Sequence, residues 1–155
     1  MKLRLLAVGT RMPAWVNEGF GDYAKRLSGD ISLELVEISA GKRLKATDLA
    51  RVKEEEGEAL LAALRPQERV IVLDVLGKAL STEDMAARLK EWQVDGRPAA
   101  LLVGGPEGLS RAVLERADEK WSLSRLTLPH PLVRVVIAEQ LYRSWSLLRG
   151  HPYHR

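Results

Sequence analysis

The sequence predicts an α/β fold, a mainly parallel sheet with helices on both faces. Three observations lead there. Short apolar, often β-branched runs alternate about five times with segments of helical periodicity. Most of these runs are apolar throughout, as strands covered on both faces are. The 155 residues show no internal repeat and no low-complexity linker, which fits one domain over residues 1–155.

Each element has a local reason. Leu3–Val8 is an apolar run closed by Gly9-Thr10, which reads as a buried strand ending in a turn. Pro13 suits the first turn of a helix, and Trp15, Val16, Phe20, Tyr23, Ala24 and Leu27 follow at helical spacing up to Ser28-Gly29. Leu33–Ile38 reads as a second strand, followed by the basic loop Gly41-Lys42-Arg43-Leu44-Lys45. Thr47 is placed to cap a helix that reaches Leu64 before Arg65-Pro66. Val70–Leu76 is a central strand. Ser81 and Asp84 form a capping-box pattern that opens a helix turning Met85, Leu89 and Trp92 inward and stopping at Gly96. Ala99–Val103 is a buried strand, and Ser110 caps a short helix after GGPEG (104–108). Trp121–Leu123 and Leu126–Leu128 are expected as short extended pieces, and a last helix is expected from about Leu132 to Leu148.

Composition excludes several chemistries. With no cysteine there is no disulfide, thiolate nucleophile, cysteine-ligated zinc or iron–sulfur cluster. No apolar run approaches the ~20 residues of a membrane helix, and the first residues lack a signal-peptide pattern, so a cytoplasmic protein is expected. The net charge is only +3, so its distribution matters more than its size. From Arg134 onward four arginines (134, 143, 149, 155) face one acid, Glu139, with His130, His151 and His154 nearby. That end reads either as solvated helix surface or as a face for a polyanion.

Ligands of open parallel sheets sit beyond the carboxyl ends of the strands. Three such ends stand out: Leu73-Asp74 running into Lys78, GGPEG at 104–108, and Leu123–Leu128 running into Pro129. GGPEG is neither GxGxxG nor a P-loop, which disfavours a dinucleotide or nucleoside triphosphate. It fits a tight strand-to-helix turn as well as a ligand cradle. Leu123–Leu128 fits a bulged core strand, or an apolar wall for an adenine. The last helix has an apolar stripe too broad for one sheet face, so it is either deeply buried or packs on a second subunit. Glu139 and Arg143 are spaced to pair on it. The tail HPYHR (151–155) gathers two imidazoles, a phenol and a guanidinium, which can move a proton, stack on a base and grip phosphate. No carboxylate or cysteine accompanies the two histidines in a metal-ligand pattern, so no metal is expected.

These blocks resemble a known family. LLVGGPEGLS (101–110), WSLSRLTLPHPLVRVVIAEQLYR (121–143) and HPYHR (151–155), with KLRLLAVGT (2–10) and AGKR (40–43), resemble the bacterial ribosomal RNA large-subunit methyltransferase H family over essentially the whole chain. The resemblance implies a SPOUT-class enzyme with a C-terminal trefoil knot, working as a homodimer. The implied reaction is methylation of N3 of a pseudouridine in a 23S rRNA stem-loop on assembled ribosomes, with S-adenosyl-L-methionine as donor. The implied cofactor contacts are Leu73, Gly104, Gly105, Gly108, Leu123, Ser124, Arg125, Leu126, Thr127 and Leu128.

The chemistry of that reaction assigns the remaining roles. The N3 proton must leave, and His154 is expected to accept it directly or through water. Arg155 and Arg143 would stabilise negative charge or hold phosphate, Tyr153 would stack on the target base, and Glu139 would orient Arg143 or receive a proton. Lys42 and Arg43 would touch the RNA backbone. The lack of cysteine agrees with attack at nitrogen rather than carbon. The rival expectations are a SPOUT methyltransferase for another RNA, a non-catalytic ribosome-binding factor that needs no methyl donor, and a metal-dependent hydrolase built on the histidines.

Overall fold

The computed structural model describes residues 1–42 and 48–154, the side chain of His154 excepted. Five strands and five helices alternate: β1 (Lys2–Val8), α1 (Ala14–Ala24), β2 (Ser32–Ile38), α2 (Leu49–Ala63), β3 (Arg69–Ala79), α3 (Thr82–Asp95), β4 (Ala99–Val103), α4 (Arg111–Arg116), β5 (Glu119–Ser122) and α5 (His130–Leu148). The sheet order is β2-β1-β4-β3-β5, and every neighbouring pair is parallel.

The period of two along each strand divides the core into two layers. Leu3, Leu5, Ala7, Ile71, Leu101 and Val103 point to one face, where Phe20 of α1, Leu89 and Trp92 of α3, and Ile137 and Leu141 of α5 cover them. Leu6, Val8, Val70, Val72, Ala100 and Leu102 point to the other, under Leu60 of α2 and Val113 of α4. Burial on both faces is why these strands read as continuous apolar runs. Arg4 breaks the run in β1. Its side chain is buried on the second face and donates to both oxygens of buried Glu68 (2.8 and 2.6 Å) and to the carbonyl of Ala63 (2.8 Å).

Several boundaries differ from the sequence reading. α1 stops at Ala24, and Trp15 on its first turn is 56% exposed while Val16 and Phe20 are buried. Asp48 caps α2 by accepting from the N–H groups of Ala50 and Arg51 (3.0 and 3.4 Å), whereas Thr47 lies outside the described residues. The capping box of Ser81 and Asp84 is present as expected, and Gly96 ends α3 in the left-handed region. β3 runs past Leu76 to Ala79 because it contains a bulge. Leu126–Leu128 is no strand: the chain leaves the sheet at Ser122 and stays irregular until α5. α5 begins two residues earlier than expected, since Pro131 fits the first helical turn, where its missing N–H costs nothing.

One of the C-terminal arginines fits neither the solvated nor the polyanion-facing reading. Arg134 is fully buried and donates to Glu37 (2.8 Å) and to the carbonyl of Gly9 (2.8 Å). Arg143 pairs with Glu139, and Arg149 with Asp30. Each of the three is therefore matched by a carboxylate. Arg155 lies outside the described residues.

Candidate active site at the carboxyl edge of the sheet

The three strand ends singled out in the sequence meet around one cavity of about 430 Å³. Leu73, Asp74 and Val75 come from β3, Val103 to Leu109 (Glu107 excepted) from β4 and its loop, and Leu123, Ser124, Leu126 to His130 and Val133 from the segment after β5 and the first turn of α5. The volume is that of a small-molecule site, and its wall is mostly apolar.

Two glycines let the loops close on each other. Gly108 (φ +81°) donates its N–H to the carbonyl of Gly105 (2.9 Å), a turn that folds the loop back on Gly104. A Cβ at Gly104 would lie 2.6 Å from the carbonyl oxygen of Gly108, so no larger residue fits. In β3, Leu73 and Lys78 both register with Trp121, so residues 74–77 leave the ladder and carry Asp74 and Val75 over the cavity. The strand rejoins through Gly77, where a Cβ would lie 2.7 Å from the backbone of Lys120.

The wall after β5 is irregular backbone. Ser124 accepts from the N–H of Leu126 (2.9 Å), and its own carbonyl accepts from Ser122 Oγ (2.9 Å). Thr127 and Leu128 belong to neither β5 nor α5, so no strand or helix ladder engages their backbone. Arg134, one turn into α5, holds the far side by bonding Gly9 beyond β1 and Glu37 of β2.

Nine of the ten implied cofactor residues line this cavity: Leu73, Gly104, Gly105, Gly108, Leu123, Ser124, Leu126, Thr127 and Leu128. Arg125 does not; it is exposed beside the wall. The sequence reading did not single out His130 and Val133 as lining residues. Val133 lies on the apolar stripe of a helix, and that pattern is the same whether the side chain packs in a core or closes a cavity.

The other group of candidates sits elsewhere on the subunit. Gly150 (φ +67°) ends α5, and the tail makes a 3₁₀ turn at Pro152–His154. That turn sets the ring of Tyr153 edge-on against Tyr142, 4.5 Å between centroids. The Tyr153 hydroxyl donates to Glu139 (3.1 Å), which also accepts from Arg143 Nε (2.8 Å) and from Gln140 (2.8 Å). The guanidinium of Arg26, paired with Asp22, lies 5.2, 5.5 and 5.9 Å from the ring centres of Tyr23, Tyr142 and Tyr153. Burial pushes the Tyr153 phenol up to about 12, reinforced by hydrogen bonding to Tyr23 and by the charge of Glu139. The hydrogen bond to Glu139 raises the pKa of Arg143, so it stays cationic.

Tyr153, Arg143 and Glu139 are thus brought together, but none of them lines the cavity. Glu139 and Arg143 lie 6 and 10 residues along α5 from Val133, roughly 9–15 Å at 1.5 Å per residue, and Tyr153 is held beside them. Arg43, Arg155 and the side chain of His154 lie outside what the structure describes, and Lys42 is exposed. Among the described residues no group of three or more His, Cys, Asp or Glu is placed to hold a metal ion. No helix among them is long and apolar enough to cross a membrane.

Comparison with known proteins agrees with this geometry. The family model described as predicted SPOUT methyltransferase matches residues 1–154. A ribosomal RNA large subunit methyltransferase H from Chromohalobacter salexigens is 61% identical over 155 residues, all of both chains. Proteins of that name from Pseudomonas putida and Azotobacter vinelandii are each 56% identical over the same full length. Among solved structures, a probable methylase family protein from Haemophilus influenzae superposes with a TM-score of 0.56 over 99% of this chain and 70% of its own, at 11% identity. That last likeness is one of fold alone. The full-length family match and these relatives place the chain in the SPOUT methyltransferase family, among the ribosomal RNA large-subunit methyltransferase H proteins.

Proposed function

We propose that the protein uses S-adenosyl-L-methionine to methylate N3 of a pseudouridine in a 23S rRNA stem-loop on the assembled ribosome, in the cytoplasm. The observation that carries this reading is the cavity between the β3, β4 and β5 loops. Its residues fit the donor. Apolar side chains at Leu73, Leu109, Leu126 and Leu128 suit the faces of an adenine, and the backbone of Thr127 and Leu128 suits its polar edge. The close turn at Gly104–Gly108 leaves room beside the strand ends. The bound donor supplies an activated methyl group on a sulfonium, so the protein need only position an acceptor nitrogen in line with it.

The acceptor N3 must lose its proton. In this reading His154 accepts it, and Arg143, held by Glu139, and Arg155 bear the negative charge of the base or its phosphates. Glu139 orients Arg143, and Tyr153 anchors the tail immediately before His154. Lys42 and Arg43 meet the RNA backbone from the loop after β2.

The tail and the cavity are apart on one chain, which favours a homodimer in which each tail serves the other subunit's cavity. Exposed apolar side chains support it. Trp15, Leu49 and Leu126 lie in segments that follow the carboxyl ends of β1, β2 and β5, Val75 and Leu76 lie in the bulge of β3, and Leu76 is 89% exposed. The C-terminal trefoil knot is consistent with the path of the chain. From edge strand β5 the segment 123–129 passes the ends of β3 and β4 to reach α5, whose Arg134 bonds Gly9 beyond β1.

The test is transfer of labelled methyl from S-adenosyl-L-methionine to ribosomes from cells lacking the enzyme, beside free 23S rRNA. The expected result is labelling of intact ribosomes at one pseudouridine. Labelling of free RNA alone would refute the assembled-ribosome substrate. Absence of both transfer and donor binding would favour a non-catalytic ribosome-binding factor.

A further inference from the structure

The cavity is lopsided in charge. Among the described residues of one subunit, its wall carries one carboxylate, Asp74, and neither lysine nor arginine, with His130 as the other ionisable side chain. Asp74 is there because β3 bulges: a regular strand pairing Trp121 once would keep residue 74 in the ladder. Its Oδ1 accepts from the N–H of Leu76 (3.4 Å), which ties the half-buried carboxylate to the bulge. A single anion on an otherwise apolar wall selects for a cation, because low-polarity surroundings strengthen the attraction that water would screen.

Taking the cavity as the methyl-donor site proposed above, we infer that Asp74 is a specificity-determining residue that distinguishes the charged donor from its neutral product. Transfer breaks the S–CH₃ bond, leaves the electron pair on sulfur and forms the N–CH₃ bond at the deprotonated N3. The sulfonium, carrying +1, becomes an uncharged thioether, while the amino acid end keeps its zwitterion. Asp74 therefore loses its countercharge at the moment of transfer. The spent cofactor is held less tightly than the fresh one, so the product competes less for the site as it reloads.

The test is calorimetric binding to the wild type and to Asp74→Asn, a near-isosteric change on a half-buried bulge. Three ligands are compared: S-adenosyl-L-methionine, S-adenosylhomocysteine, and an analogue with an amine-bearing carbon in place of the sulfonium. The expected result is about tenfold weaker binding of the donor and the amine analogue to Asp74→Asn, with the product changed less than about threefold. Raising the salt concentration should narrow the donor-to-product ratio in the wild type and leave it flat in the variant. Equal weakening of all three ligands, or no change in any, would overturn the inference while leaving the donor site standing. A wild type that binds none of them would overturn the donor site itself. Asp74→Glu, which keeps the charge, should retain most of the discrimination if Asp74→Asn proves unstable, and its loss there would also count against the inference.

Discussion

Tyr153 joins the tail to the body through its hydrogen bond to Glu139, its ring contact with Tyr142 and the guanidinium groups of Arg26 and Arg143 near its ring. Its phenol is raised from 10.0 to about 12, mainly by burial. A folded value above the unfolded one means that this contribution to stability is complete below pH 10 and is lost as pH rises through 12. Spectroscopic titration should show a tyrosine step near 12, and Tyr153→Phe should remove it. Gly104 makes a second prediction. Gly104→Ala forces a Cβ against the Gly108 carbonyl, so it should cost about 1–3 kcal/mol in denaturant unfolding and weaken donor binding. An unchanged midpoint would show that the loop yields freely. The residues themselves were unevenly legible. Pattern alone marked GGPEG and LSRLTL, yet either could have been a turn or a core strand. It took the family resemblance to join Leu73, Gly104 and Leu123–Leu128 into one site. Arg134 went the other way: charge counting put it on the surface, either solvated or facing a polyanion, but it is buried between Gly9 and Glu37. A sequence shows a charge but not the distant carboxylate that cancels it.

The elements were legible where their signals are local. Ala99–Val103 is the strand its apolar run describes, and the Ser81–Asp84 box and Gly96 bound α3. Signals failed where a partner decides. The bulge in β3 depends on two pairings with Trp121, and the irregular course of residues 123–129 depends on the cavity they wall. Trp15 has helical spacing but no core beneath it. Another long-range element is the link from Arg4 of β1 to Glu68, just before β3. Burial raises the pKa of Glu68, but the hydrogen bonds from Arg4 and from the N–H of Arg65 outweigh it, so the group sits below the ordinary carboxylate value. Its stabilisation is therefore present at neutral pH and is lost as pH falls through that lowered value. Glu68→Ala would leave the Arg4 guanidinium buried without its carboxylate and should cost about 3–5 kcal/mol in equilibrium unfolding. A cost under about 1 kcal/mol would mean that water reaches Arg4 when the carboxylate is gone.

For the whole molecule, alternation of strands and helices gave the α/β class, and the fully parallel order β2-β1-β4-β3-β5 bears it out. Strand order was not legible, because pairing is set by contacts between segments far apart in the chain. The association state makes one prediction at this scale. Exposed apolar side chains at the carboxyl edge, and a tail held away from the cavity, call for a second copy. Light scattering should give about twice 17.3 kDa, and a monomer at working concentration would oppose the shared-site reading. The central claim is that the cavity beyond β3, β4 and β5 holds the methyl donor. Thr127 is exposed on that wall, so Thr127→Trp can fill the cavity without disturbing the core. The most direct measurement is calorimetric titration of both proteins with S-adenosyl-L-methionine. The wild type should bind saturably and Thr127→Trp at least about tenfold more weakly, with unfolding temperatures close together. Undiminished binding by a folded Thr127→Trp would place the donor elsewhere.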